Sequence, residues 1–266
     1  MAASAAPSSD HGAFFAFSRP GSASFRWGCL AIGAVTSLLA VGGRWDIALA
    51  AWIAPIFLLR FLRDSSTLVG LGLTWLVSVF SSAYWGFQLG VPIQLSWLIS
   101  TVYGTIFALP FFADRFLASR LGMAGRLFIF PAAFASVEWI MGSFSPLGTA
   151  SGLRAISQTE NLPLLQLVSV AGPYSIGFLI NWLATTVNLV WEGPASPRVR
   201  KAAMIYGAIL LVTLFGGAAR LAFSTPAKDY VRMAGITPSM HAQETARAMI
   251  EGRPAKLDAA VDPNVI

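Results

Sequence analysis

Residues 67–113 read TLVGLGLTWLVSVFSSAYWGFQLGVPIQLSWLISTVYGTIFALPFFA, a run of 47 residues without Asp, Glu, Lys or Arg. As a single helix this run would be about 70 Å long, more than twice the roughly 30 Å hydrocarbon core of a bilayer. The run therefore predicts two transmembrane helices joined by a short turn.

The composition of the whole chain supports this prediction. Of the 266 residues, 56% are hydrophobic and only 11% are charged, and the mean hydropathy is +0.66. The net charge of +6 does not indicate a nucleic-acid partner, because the basic residues cluster at the ends of apolar runs, where they would face lipid headgroups. The single cysteine, Cys29, excludes a multi-cysteine metal site, and we predict no metal or cofactor.

Uncharged runs and their breakers predict an all-α, polytopic membrane protein with a seven-helix bundle over residues 25–225. Residues 1–24, rich in Ala, Ser, Gly and Pro, are predicted to be a disordered cytoplasmic tail. The predicted spans are about 27–43, 46–62, 67–87, 93–112, 125–142, 173–191 and 203–223.

The distribution of Arg and Lys predicts the orientation of the bundle. Alternate connections carry ten basic residues on one side and four on the other. Basic residues are enriched on the cytoplasmic side of membrane proteins. We therefore predict a cytoplasmic N-terminus, an extracytoplasmic C-terminal tail, and residence in the cell membrane, inner or plasma.

Two regions depart from the bundle pattern. The outer connection, residues 143–172, is too long for a tight turn, and its apolar part is predicted to lie in the membrane interface or to enter the membrane and return. Residues 228–266 become polar and predict one short strand followed by one helix.

Short motifs in these regions resemble the apolipoprotein N-acyltransferase family. They are Phe130-Pro131-Ala132-Ala133 before Glu138-Trp139, Ser145-Pro146-Leu147-Gly148, Asn161-Leu162-Pro163-Leu164-Leu165-Gln166, and Gly172-Pro173-Tyr174-Ser175-Ile176-Gly177-Phe178-Leu179-Ile180. The resemblance implies a membrane bundle ahead of an extracytoplasmic nitrilase-like domain, also called carbon–nitrogen hydrolase-like. It also implies acyl transfer from a membrane phospholipid to the N-terminal cysteine amine of a lipoprotein.

The family's catalytic Glu, Lys and Cys lie in the nitrilase-like domain, beyond its first strand, which residues 231–237 resemble. No residue of this chain matches them, so the resemblance implies no catalytic residue here. We expect a truncated, inactive membrane portion, or one that works with a separate nitrilase-like chain. Whether the chain is an enzyme stays open at this stage.

Five residues are candidates for contact with substrate or lipid near the outer face: Glu138, Trp139, Gln158, Asn161 and Gln166. Glu138 is an acid within a predicted span, where ionisable groups are costly and often functional. Its alternative interpretation is a structural hydrogen bond to the neighbouring loop. For the three amides the alternative is satisfaction of loop backbone, and for Trp139 it is a place in the interfacial aromatic belt. Arg154 is either a solvated loop residue or a phosphate contact.

Two other functions are alternatives to this membrane portion of an acyltransferase. A small transporter is disfavoured because the spans carry almost no ionisable residue apart from Glu138. A non-catalytic membrane scaffold is the second alternative, and a co-purifying nitrilase-like chain would argue against it.

Overall fold

The computed structural model describes residues 22–40, 47–88, 92–145, 152–194 and 196–224, and within these ranges the protein is helical and contains no strand. A π-helical segment, Asp114–Ala118, follows α4, and a 3-10 helix, Arg154–Gln158, precedes α6. The α-helices are α1 (Ala23–Leu39), α2 (Ala48–Asp64), α3 (Thr67–Gln88), α4 (Ile93–Ala113), α5 (Gly122–Phe144), α6 (Leu162–Leu165), α7 (Val168–Ala171), α8 (Tyr174–Glu192) and α9 (Pro197–Phe223).

Four described helices are long and apolar enough to cross a bilayer: Thr67–Phe87, Ile93–Ala118, Gly122–Phe144 and Pro197–Phe223. The pair formed by Leu162–Ala171 and Tyr174–Glu192 brings the number to five if it is one broken span. Each of the seven predicted segments overlaps a helix, but the predicted number of seven spans is not confirmed. The helix α1 begins inside the predicted tail, whereas residues 1–21 and the strand and helix predicted within 228–266 lie outside the described residues.

Small residues let α3 and α4 pack closely. On α4 they recur every fourth position, as Ser96, Ser100, Gly104 and Ala108, and all four are buried. Residues four apart lie on one face of a helix, and small side chains at a helix interface let the two backbones approach. The uncharged run 67–113 thus forms a tightly packed helical pair.

A proline inside α5 leaves one backbone carbonyl without its usual helical hydrogen bond, and a side chain of α8 donates to that carbonyl instead. Pro131 lies inside α5 and has no N–H, so it cannot bond to the carbonyl of Leu127, four residues earlier. The hydroxyl of Thr185 on α8 donates to that carbonyl at 2.8 Å. In a membrane such freed backbone groups need a protein partner, and a neighbouring helix supplies one here.

The apolar part of the outer connection forms α6 and α7, which turn into α8 with an angle of 114°. The sharp change of direction at Gly172-Pro173 matches a broken span or a re-entrant loop. It leaves α6 packed against α9.

Three of the basic residues that the sequence assigns to lipid headgroups belong to an ion-pair cluster at the end of the bundle opposite the outer connection. Its members join α2, the π-helical segment, α5 and α8: Arg60 pairs with Asp64 and Glu192, Arg63 with Asp114 and Glu192, and Arg126 with Glu192. The side chains of Arg60 and Arg63 are only 9% and 12% exposed. These arginines therefore bind acids within the protein.

The contact between α6 and α9 depends on the absence of a side chain at Gly217. A Cβ there would lie 2.7 Å from the carbonyl carbon of Pro163 and closer still to its oxygen, whereas a Cβ at the adjacent Gly216 would meet nothing within 4 Å. We expect Gly217→Ala to weaken the docking of α6 by about 1–2 kcal/mol, because the helix backbones must separate. Hydrogen exchange over residues 162–171 should become about tenfold faster.

The control is Gly216→Ala, where the same substitution meets open space and should leave exchange at residues 162–171 unchanged. Equal exchange rates in the two variants would contradict the close approach of α6 to α9.

Candidate functional site

The side chains of Glu138 and the 3-10 helix form a buried polar site beside the outer end of α5. Glu138 is 1% exposed, and its Oε1 accepts the backbone N–H of Arg154 at 2.9 Å. Among the described residues its Oε2 has no hydrogen-bond partner. Space for this carboxylate comes from Gly177 on α8, where a Cβ would lie 2.8 Å from the carboxyl carbon. The geometry thus contains the structural hydrogen bond that was one of the two interpretations of Glu138.

Gln158 anchors the other end of the 3-10 helix. Its Oε1 accepts the indole N–H of Trp52 at 3.0 Å, and its Nε2 donates to the carbonyl of Ala48 at 2.9 Å and to Ser157 Oγ at 2.8 Å. The Ala48 carbonyl lies in the first turn of α2, 110 residues away in sequence. Gln158 therefore ties the outer connection to α2.

Substitution of Gln158 by Leu should destabilise the protein by about 1–2 kcal/mol, because the indole N–H of Trp52 and the carbonyl of Ala48 lose their partner. The measurement is the melting temperature of the detergent-solubilised protein. Gln166→Leu is the matched control, because Gln166 makes only a 3.4 Å bond to Leu162 within its own turn. Equal melting temperatures for the two variants would argue against this anchor.

The other three predicted residues lie apart from this buried site. Asn161 caps α6, with its side chain accepting the N–H of Leu164 at 3.3 Å. Gln166 is half-buried in the turn after α6. Trp139 is 52% exposed and contacts Phe144 edge to face, with ring centroids 6.1 Å apart. The structure therefore buries Glu138 and Gln158 at the two ends of the 3-10 helix and leaves Asn161, Gln166 and Trp139 apart from them.

Arg154 enters the bundle from the outer connection. Its guanidinium lies over the ring of Phe134, 4.3 Å from the centroid. Burial lowers the pKa of this guanidinium, and the Glu138 carboxylate opposes that shift. An arginine keeps its charge in proteins. Arg154 is therefore not the solvated loop residue of the first alternative, because its guanidinium packs on Phe134 inside the bundle.

A cavity of about 220 Å³, here called the serine cavity, lies between α1, α2, α3, α4 and α5 and is closed on one side by the 3-10 helix. Its wall includes the Arg154 side chain and the ring of Phe134. Seven serines line it: Ser37, Ser78, Ser81, Ser82, Ser96, Ser100 and Ser157. No sequence-based expectation included this cavity, although the serines four apart at Ser78 and Ser82 and at Ser96 and Ser100 are a readable signal.

The described residues form an all-helical bundle in which four helices, or five if the bent pair is one span, are apolar and long enough to cross a bilayer, and these features define an integral membrane protein. Residues 28–186 match the family described as the apolipoprotein N-acyltransferase N-terminal domain. The match covers 159 of the 266 residues, and the chain belongs to this family. A search of curated proteins found no match.

Proposed function

We propose that this chain supplies the membrane portion of an acyltransferase that moves an acyl group from a phospholipid to the N-terminal cysteine amine of a lipoprotein. The observation that carries the proposal is the family match over residues 28–186, combined with the helical bundle that it covers. The bundle would hold the acyl chains and position the outer connection beneath a nitrilase-like domain.

The acyl chemistry itself would come from residues outside this 266-residue sequence. In a thiol-dependent acyl transfer, the thiolate attacks the donor ester and the lysophospholipid leaves as its alcohol. The acceptor amine then attacks the thioester, loses a proton and releases the thiol. The only cysteine in the sequence, Cys29, is 2% exposed within α1. We therefore propose that a nitrilase-like domain, joined to the chain or separate from it, carries the nucleophile.

A reconstitution assay tests this proposal. The chain is placed in phospholipid vesicles with a diacylglyceryl-cysteine peptide, and mass spectrometry measures the acylated product. We expect product only when a nitrilase-like domain from a complete family member is added, at a rate above that of the domain with an unrelated helical bundle. Equal acylation rates with this chain and with the unrelated bundle would contradict the proposal and favour the non-catalytic scaffold.

The proposed topology has seven spans, a cytoplasmic N-terminus and an extracytoplasmic tail. The ion-pair cluster is consistent with this direction, because it brings Arg60, Arg63 and Arg126, three of the ten basic residues that the orientation rule assigns to the cytoplasmic side, to one end of the bundle. A reporter fused after Arg120 should be cytoplasmic, and one fused after Arg232 should be extracytoplasmic. A reversed pair of reporters would overturn the orientation, and two reporters on the same side would overturn the number of spans.

A further inference from the structure

We propose that the serine cavity binds a single-chain lipid anion, with its phosphate or carboxylate on the guanidinium of Arg154. This inference goes beyond the proposed function, because the binding needs no acyl transfer and no nitrilase-like domain.

The first support is that the guanidinium of Arg154 makes no direct ion pair with the described residues. Among the described residues the Nε of Arg154 is buried without a hydrogen-bond partner, and its guanidinium forms no ion pair there. The nearby acid, Glu138, bonds the backbone N–H of Arg154 instead of its guanidinium. Burying a charge without a partner is costly, so this guanidinium favours an anion that reaches it through the cavity.

The second support is an independent polar group in the wall of the cavity. Ser81 on α3 is 8% exposed, lines the cavity, and its hydroxyl has no partner among the described residues. Ser100, on the facing helix α4, is 2% exposed and lines the same space. Buried hydroxyl groups are normally hydrogen-bonded, and oxygen atoms of an acid head or a glycerol would satisfy them.

The shape and lining of the cavity indicate that the anion carries a hydrocarbon chain. On α4 the lining runs from Ser96 to Phe111, about 22 Å along the helix at 1.5 Å per residue. Beyond Phe134 the wall is apolar, with Leu58, Phe107 and Phe111. The volume, about 220 Å³, lies below the roughly 300–1,000 Å³ of pockets for drug-sized ligands, so the cavity has room for one short chain and not for two.

The test uses the chain alone, in nanodiscs of phosphatidylcholine. The probe is octanoyl lysophosphatidic acid, and monooctanoylglycerol is its match without the phosphate. Native mass spectrometry and equilibrium binding measure occupancy and affinity, and inorganic phosphate is added as a competitor. We expect one saturable site for the lysophospholipid, at least about tenfold weaker binding of the neutral lipid, and no displacement by inorganic phosphate.

Three variants locate the site. Arg154→Ala should weaken lysophosphatidic acid binding about tenfold or more, and Arg154→Lys should retain most of it. Arg220→Ala is the matched control, because Arg220 is exposed on α9, and it should bind as the original protein does. Ser81→Leu leaves Arg154 in place but fills the cavity, so it should also abolish binding. If Arg154→Ala does not fold, binding by Ser81→Leu shows whether the cavity holds the lipid.

Several results would overturn the inference. Equal affinity for the charged and neutral lipids would remove the role of the anion. Undiminished binding in folded Arg154→Ala or Ser81→Leu would place the lipid elsewhere. Displacement by inorganic phosphate at the concentration of the probe would show a site for a free anion. Each result can occur whether or not the reconstitution assay gives product, so the two proposals fail independently.

Discussion

Asp114→Asn is expected to lower the melting temperature of the solubilised protein by roughly 10 °C, through a loss of about 3–5 kcal/mol. Asp114 is 3% exposed and holds Arg63 through two bonds, from Nη2 to Oδ1 at 2.8 Å and from Nε to Oδ2 at 3.1 Å. The substitution preserves shape but leaves Arg63 without this charge. Glu192, 3.6 Å from Arg63 Nη1, is already shared with Arg60 and Arg126.

The control is Glu160→Gln, which removes one negative charge from an exposed position and should change the melting temperature little. A second variant separates charge from packing. Combining Arg63→Met with Asp114→Leu removes both charges, and it should recover most of the stability because well-packed apolar pairs replace buried ion pairs at little cost. If Asp114→Asn and Glu160→Gln have the same melting temperature, the ion pair between Arg63 and Asp114 contributes nothing to stability.

Gly177→Ala is expected to destabilise the protein by about 2–3 kcal/mol, although Gly→Ala within a helix normally stabilises it by about 1 kcal/mol. The new methyl group would meet the Glu138 carboxylate, with the carboxyl carbon at 2.8 Å and one oxygen nearer. The carboxylate is 1% exposed and bonded to the Arg154 N–H, so it can move only by breaking that bond. Thermal melting measures the effect.

A double-mutant cycle gives the sharper result. In the Glu138→Ala background the obstacle is gone, so adding Gly177→Ala should be neutral or stabilising. Gly207→Ala on α9 is the control for helix propensity, because a Cβ there meets nothing within 4 Å. A penalty at Gly177 that persists without the Glu138 carboxylate would show that the two residues do not share this space.

Local patterns predicted the helices well, because uncharged runs and their breakers report directly on segments that can enter a bilayer. The run 67–113 became α3 and α4, and the apolar piece before Gly172-Pro173 became α6 and α7 with a sharp bend. The number of spans was less certain. The helix α1 is only 17 residues long, and α2 carries Arg60, Arg63 and Asp64 in its last turns.

The site was predictable only in part, because its contacts join residues that are distant in sequence. The outer connection was expected to hold functional residues. In the structure Glu138 bonds the first residue of its 3-10 helix, Arg154, and Gln158, the last residue of that helix, ties it to α2. Their partners follow no local spacing: Gln158 reaches Trp52 across 106 positions, and Glu138 accepts from Arg154 across 16. The serine cavity has a local signal in the serine spacing of α3 and α4, whereas the inward turn of Arg154 has none.

The ion-pair cluster also has a consequence for biosynthesis. Arg60 must wait for Glu192, which is translated 132 residues later. At roughly 5–20 residues per second, that interval is on the order of 10 s. Until then Arg60 has Asp64 and Arg63 gains Asp114, whereas Arg126 has no acid partner in the cluster before Glu192. The last ion pairs therefore close only when α8 has been made, and they join the early helix α2 and the later α5 to one late residue.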